Sequence, residues 1–332
     1  MKRILVIRID FLGDMVCTTA FLHALRLRWP QAEIHVLASK YNRAVLERNP
    51  DVTAVHTYVY SKQCERNDRP GRCIAMIDRL KLVIRLRRYA FDLVIVPNGG
   101  MHKNSVRFAR QLRAKAYRWH DASTEFDDRN PDHAATRPMR HEALSGFALM
   151  PELEPVAAES LRLRLFPEPA LKAKWESEFA QNGRPRVGLF MSNKAESRQW
   201  DARKWLELAE ALASRVDVVM FRDPGDDRVL GSSAPASARV IAPRTVTDLI
   251  AATSTLGLVV SADSAPVHFA SALGVPVVAM FEDRPEKYLR WHPLGVPHVL
   301  LYAGSKVNHI AVEQVAEATC SLLDEHVASS CV

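Results

Sequence analysis

ILVIRIDFLGD, residues Ile4 to Asp14, opens the chain as an apolar run that ends in a turn carrying carboxylates. LGLVVSADSAPVHFASALGVPVVAMF, Leu256 to Phe281, repeats the pattern in the other half as strand, polar turn, small-residue helix and apolar strand. Apolar runs without alternation are the mark of strands buried on both faces of a parallel sheet. Polar side chains just past the C-terminal end of such a strand stand where open α/β sheets bind ligands. One such turn is ordinary. Two, in opposite halves, predict an α/β protein of two Rossmann-like domains facing a central cleft, a carboxylate of one half opposite a phosphate site of the other.

The same alternation runs outward from both stretches. In the first half, strands are predicted at Ile4–Ile9, Glu33–Ala38, Ala54–Tyr58 and Leu93–Val96, with helices at Asp14–Arg28, Tyr41–Arg48 and Arg72–Arg88 and a short one at Leu144–Met150. Asp121 to Pro138 is polar and Pro-containing and reads as a loop over the cleft. Pro151 to Pro169 holds four prolines and is the linker candidate. The domain boundary is therefore placed there, giving residues 1–155 and 156–332, with a last helix able to return to the first domain. The second half restarts with strands at Arg186–Phe190, Val216–Phe221, Ala238–Ile241, Leu256–Ser261, Val275–Phe281 and His298–Leu301. Its helices are predicted at Glu168–Gln181, Ala202–Ser214, Val246–Thr253, Pro266–Leu273 and Ala311–Val327.

Bulk properties narrow the function. A chain of 332 residues exceeds what one core serves, and 48% hydrophobic with 25% charged residues is ordinary for a globular protein. A net charge of +7 favours polyanionic partners. From Arg79 to Arg118 there are eleven Lys or Arg and one acid, Asp92. A charge run is usually a solvated face, but so complete a lack of acids points to an anionic acceptor or a membrane surface carrying anionic lipid. No nucleic-acid motif accompanies it, which disfavours nucleic acid. The five cysteines show no CxxC spacing, so neither a disulfide framework nor a zinc site is indicated, as suits a reducing compartment. Arg8 and Asp10 break the first apolar run too early for a signal peptide, and no stretch approaches the roughly 20 apolar residues of a membrane span. The expectation is a cytoplasmic protein, peripheral at most to the inner membrane.

Several residues can carry chemistry. Asp14 follows Gly13, which permits a sharp turn, and opens a helix. From spacing alone a favourable helix-terminal acid is the simpler account; the functional one is a general base at the mouth of a cleft. Asp10 competes for that role or forms the turn. Asp263, Ser264 and Ala265 precede Pro266, a residue suited to the first helical position, so their amides and the helix dipole make an anion site fit for a diphosphate. His268 lies one turn further and either donates to the same phosphates or is an interior histidine. After the strand ending at Met191, Lys194 and Arg198 are cations placed to neutralise a leaving phosphate, or are solvated. Asp226 can hold ribose hydroxyls, though a plain turn explains Pro224-Gly225 equally well. Further binding candidates in the first half are Asp10, Gly13, Thr18, Arg107 and Arg110.

ILVIRIDFLGDMVCTTAFLHALR (Ile4–Arg26) resembles the amino-terminal signature of family 9 glycosyltransferases, the lipopolysaccharide heptosyltransferases. VVSADSAPVHFASALGVPVVAMF (Val259–Phe281) looks like that family's donor-site motif, and the RQW (Arg198–Trp200) and RHEALSGFALM (Arg140–Met150) stretches are similar to further segments. The resemblance implies a GT-B fold, with the first domain for the acceptor and the second for the donor, and an inverting, metal-independent transfer. Heptose would pass from ADP-L-glycero-β-D-manno-heptose to the lipopolysaccharide inner core at the cytoplasmic membrane face. No cofactor is implied beyond the nucleotide-sugar substrate. It also implies Asp14 as base, Arg198 in place of a lysine on the diphosphate, and Asp226 in place of a glutamate at the ribose. Asp263, Ser264, Ala265 and His268 match the donor turn, with Ala265 replacing a common glycine. A transferase of another nucleotide sugar, a sugar-nucleotide epimerase and an inactive relative are the alternatives.

Overall fold

The computed structural model describes residues 2–121, 140–179, 183–226 and 238–330, with side chains up to 325. It divides into two units, Met1–Arg164 and Leu165–Val332. The stretch expected as a polar loop lies, beyond Asp121, outside the described residues.

The first unit is built on β1 (Arg3–Arg8), β2 (Glu33–Ala38), β3 (Ala54–Thr57), β4 (Leu93–Val96) and β5 (Ala116–Trp119). All pair in parallel, in the order β3-β2-β1-β4-β5. Ile4 of β1 stands opposite Ile34 on one side and Leu93 on the other. The chain winds outward from β1 to β3, then crosses back to lay β4 against the other edge of β1. That reversal leaves a crevice at the C-terminal ends of β1 and β4. Helices α1 (Leu12–Arg28), α2 (Arg72–Arg88) and α3 (Lys103–Ala109) cover the sheet. Leu5, Ile7, Val94 and Val96 pack with Leu82 and Leu86 of α2 and Phe108 of α3 in one core.

Helix α1 is buried over most of its surface, including Met15, Val16, Cys17, Ala20, Phe21, Leu22 and Leu25. It begins at Leu12, so Asp14 lies within its first turn, where the helix dipole favours a negative charge. The sharp turn expected at Gly13 is made instead by Ile9 to Phe11. Phe11 is the extended N-cap at φ −92°, and Gly13 is not among the glycines at positive φ.

Two expected helices shrink. Over Tyr41–Arg48 only a 3-10 turn forms, Arg43–Leu46. Asn42 Oδ1 accepts from Ser39 N at 2.8 Å, Ser39 Oγ accepts from Asn42 N at 3.1 Å, and Asn42 Nδ2 donates to Arg8 O at 3.2 Å. These side-chain bonds satisfy backbone groups that a helix would have used. The expected Leu144–Met150 helix is two 3-10 turns, Glu142–Leu144 and Phe147–Leu149, separated at Ser145-Gly146. Strand β5 was not anticipated, because its sequence, AYRW, belongs to the basic band and its residues are only half-buried at the sheet edge.

The second unit holds β6 (Arg186–Phe190), β7 (Asp217–Phe221), β8 (Ala238–Ile241), β9 (Leu258–Ala262), β10 (Val277–Phe281) and β11 (His298–Tyr302). They too pair in parallel, in the order β11-β10-β9-β6-β7-β8, so the winding reverses between β6 and β9. Helices α4 (Pro169–Glu178), α5 (Ala202–Leu212), α6 (Val246–Thr253), α7 (Ala265–Leu273), α8 (Pro285–Trp291) and α9 (Val312–Ser330) complete it. One face joins Val187 and Leu189 to Trp205, Leu208 and Leu212 of α5 and Val315 of α9. The other joins Phe190, Phe221, Val259 and Phe281 to Val267 of α7. Each fully buried Leu or Val here contributes roughly 1.5–3 kcal/mol. Helix α9 packs on α5 and on β9, β10 and β11 of its own unit. Helix α8, which the sequence reading did not anticipate, starts on Pro285, whose fixed φ suits a first turn. Among the described residues, no helix is long and apolar enough to cross a membrane.

Candidate active site

At the reversal point of the first unit, Arg8 ends β1 with its side chain 1% exposed. Its Nε donates to Asp10 Oδ1 at 2.8 Å and its Nη1 to Pro97 O at 3.0 Å. Its Nη2 contacts Asp14 Oδ1 and donates to Glu142 Oε1 at 2.9 Å. Glu142 also accepts from Gly99 N at 3.0 Å, and Asn98 Nδ2 donates to Asp10 Oδ2 at 2.6 Å. The turns after β1 and β4 and the segment from His141 thus converge on one guanidinium.

One guanidinium cannot balance three carboxylates in a largely dry site. Burial, then the charges of Asp10 and Glu142, outweighs Arg8 and pushes the Asp14 carboxyl up to about 7. Burial and Glu142 also raise Asp10, against the pull of Arg8. Burial opposes the charge of Arg8, yet the acids around it hold it firmly protonated. His102, the N-cap of α3 with Nδ1 2.7 Å from Ser105 Oγ, is lowered by burial and by Arg8. Both oxygens of Asp10 are engaged. Asp14 is the most exposed of the three acids, at 16%, and its Oδ2 has no hydrogen-bond partner among the described residues. A carboxylate with a free oxygen and an affinity for protons near neutrality is equipped as a general base.

The second unit presents a different chemistry at its own reversal point. Buried Asp263 follows β9, and its N donates to Met280 O at 2.9 Å. The loop after β6 reaches this turn. Arg198 Nη1 lies 3.3 Å from Asp263 Oδ2, and Asn193 Nδ2 donates to Asp263 O at 3.1 Å. Ser264 is the N-cap of α7, but its Oγ donates to Ala262 O at 3.0 Å and lies 3.1 Å from Ser261 Oγ. It gives the helix no side-chain cap. Pro266 has no N–H and Val267 N donates to Ser264 O at 3.2 Å, so in this first turn it is Ala265 N, with the helix dipole behind it, that suits an anion. Ser192 Oγ donates to Asp226 Oδ2 at 2.9 Å and accepts from Asp223 N at 3.0 Å, bringing Asp226 to the same loop.

Other expected residues stand further from this chemistry. Lys194 is exposed on the post-β6 loop. His268 is buried, its ring edge-on to Trp291 at 5.8 Å. Thr18 is buried with its hydroxyl donating to Asp14 O at 2.8 Å, and Gly13 is a helical residue beside Asp14. Arg107 and Arg110 are exposed, Arg110 lying over the Trp119 ring, and among the described residues neither bonds to the carboxylate cluster. The sequence reading missed Arg8, Glu142, Asn98 and Asn193 as site residues. A cation at the end of an otherwise apolar strand was a usable signal for Arg8. Glu142 gave none, since only the fold brings it to Arg8. Among the described residues no group of three or more His, Cys, Asp or Glu is arranged to hold a metal ion.

Known proteins share this fold. The family model described as glycosyltransferase family 9 (heptosyltransferase) matches residues 79–316. The chain is 23% identical over 307 residues to lipopolysaccharide heptosyltransferase 3 of Escherichia coli, covering 89% of this chain and 87% of that one. A solved glycosyl transferase of family 9 from Veillonella parvula superposes with a TM-score of 0.78 at 20% identity, over 98% of this chain and 97% of the other. The E. coli ADP-heptose lipopolysaccharide heptosyltransferase II gives 0.69 at 21% identity, over 98% and 99%. The fold shared with these structures is GT-B.

Proposed function

The chain belongs to glycosyltransferase family 9 and is a glycosyltransferase; from that premise we propose that it moves a heptose from ADP-L-glycero-β-D-manno-heptose onto the inner core of lipopolysaccharide, with inversion and without a metal. The proton affinity and free oxygen of Asp14 beside Arg8 carry the mechanistic part of this reading. The names of the relatives support the sugar and the acceptor class.

In the reaction, an acceptor hydroxyl gives its proton to Asp14 Oδ2 as its oxygen attacks the anomeric carbon. A C–O bond forms on the face opposite the leaving group, while the bond from that carbon to the β-phosphate oxygen breaks. Its electron pair leaves with ADP. Arg8 holds Asp14 in place and limits how far its proton affinity rises. Arg198 and the N-terminus of α7 meet the charge growing on the diphosphate, and preorganised groups of this kind are worth most where charge develops. Asp226, steadied by Ser192, is assigned to the donor ribose, and Lys194 and His268 to the outer edge of the donor site.

The test is transfer from ADP-heptose to a panel of truncated core acceptors, with Asp14→Asn as the matched inactive chain. Product from the native chain and none from the variant is the expected result. Turnover by the variant at the native rate would remove Asp14 as base, and no product with any acceptor would remove the heptosyl reading.

A further inference from the structure

Helix α2 carries a face that the described residues leave uncovered. Ile74, Met76, Ile77, Leu80 and Ile84 are each 40–68% exposed, five of the eleven large hydrophobic residues exposed among those described. At about 100° per residue, Cys73, Met76, Ile77, Leu80 and Ile84 fall in one arc about 100° wide and roughly 16 Å long. The same helix holds six Lys or Arg and a single acid, Asp78. Lys81, Arg85 and Arg88, all exposed, run along one border of the stripe.

Beside that border lies a cavity of about 430 Å³, between α2 and the segments at Thr57–Val59 and Asn67–Arg69, with Lys81 and Arg85 in its lining. Its two acids are already matched. Asp68 lies 3.5 Å from Lys40 and 3.7 Å from Arg43, and Asp78 pairs with Arg69. Lys81 and Arg85 enter no ion pair among the described residues, so the cavity offers cations without competing anions.

We propose that α2 is the surface by which this protein lies on an anionic lipid bilayer, its apolar stripe sunk to the acyl-chain boundary and a lipid phosphate held in the adjoining cavity by Lys81 and Arg85. An exposed apolar stripe bordered by Lys and Arg is the pattern of a helix lying in the membrane interface. Charge selects this occupant over a second copy of the chain. A two-fold pairing of α2 with itself would set its cations against an identical set, whereas an anionic surface complements them. The inference deepens the proposed function, since an enzyme that glycosylates a lipid-anchored acceptor works at such a surface. The assay below contains neither donor nor acceptor, so its failure leaves the transferase reading untouched.

The full-length protein is sedimented with vesicles of equal parts phosphatidylcholine and phosphatidylglycerol, and with phosphatidylcholine alone. Binding is expected to the anionic vesicles only, weakening with added salt. Ile77→Ser with Leu80→Ser, and separately Lys81→Gln with Arg85→Gln, should each lower partitioning on the order of tenfold. Both pairs change exposed positions, so unchanged thermal melts are expected and serve as the folding control. No binding by the native chain, or binding undiminished in both variants, overturns the proposal. So does a native dimer that the serine variant converts to monomer without change in sedimentation, since α2 would then be a contact between copies.

Discussion

Glu142 and Asp14 share one nitrogen of Arg8: Nη2 donates to Glu142 Oε1 at 2.9 Å and also contacts Asp14 Oδ1. The negative charge of Glu142 is one of the forces raising Asp14 to about 7. A base must be ionised to act, so kcat/KM is expected to rise with pH up to about 7 and level off above it. Glu142→Gln keeps an oxygen that accepts from Arg8 and Gly99 but removes the charge. Its rising limb should therefore move to lower pH. A pH–rate profile with the limb unmoved would show that another group titrates.

Asp14 also links catalysis to stability. Its folded affinity lies above the ordinary value of 3.8, so between about 4 and 7 the folded chain binds a proton that the unfolded chain has released. Stability contributed by this group is therefore lost as pH rises through that window. Asp14→Asn is neutral throughout and retains an oxygen for Arg8. At about pH 8 it should melt roughly 2–4 °C above the native chain. Transfer should fall by about 10²–10⁴ in the same variant. Differential scanning calorimetry beside a transfer assay reads both.

Arg198 approaches Asp263, the residue before the N-cap of α7, at 3.3 Å. Its removal takes away one charged donor to a diphosphate, an interaction of roughly 1.5–3 kcal/mol. Arg198→Ala should therefore weaken ADP binding about 10–100-fold by titration calorimetry. Asp14→Asn should bind ADP with native affinity, and a loss of the same size there would contradict the division of labour between base and donor anchors.

Gly146 sits against the ring of Phe21, with space for no side chain. A Cβ placed there would stand 2.5 Å from Phe21 Cγ. Gly146→Ala is expected to cost about 1–3 kcal/mol in urea unfolding, because a packed aromatic ring on α1 must move. The same strain acts between the helix of Asp14 and the segment of Glu142, so the variant should lose activity at temperatures where it remains folded.

Strands were legible where both faces are buried. Leu93–Val96 and Val277–Phe281 show unbroken apolar runs because helices cover either side of their sheets. Asp263 was legible as a candidate because it directly follows a strand, and Asp14 because it lies in the first turn of the helix after one. Strand β5 lies at an edge, where partial exposure lets Arg118 and Tyr117 hide the pattern. The helix expected at Tyr41 was lost to the side-chain bonds of Asn42, which local periodicity does not register. Arg8 and Glu142 lie 134 residues apart, and nothing local announces their pairing. The charge balance that tunes Asp14 is thus a property of the tertiary structure, while the acid itself is visible in the chain.

The all-parallel pairing has a price in time. Strand β1 meets its central neighbour only when β4 exists, and Arg8 finds Pro97 89 residues downstream. Non-local pairings of this kind form slowly, and until they form the apolar edges remain open to other chains. During synthesis the first unit must wait for residue 96 to emerge before its middle closes, and for Glu142 before Arg8 is fully matched. Slow growth at low temperature, or a holding chaperone, should therefore raise the yield of this protein more than any added contact on its finished surface.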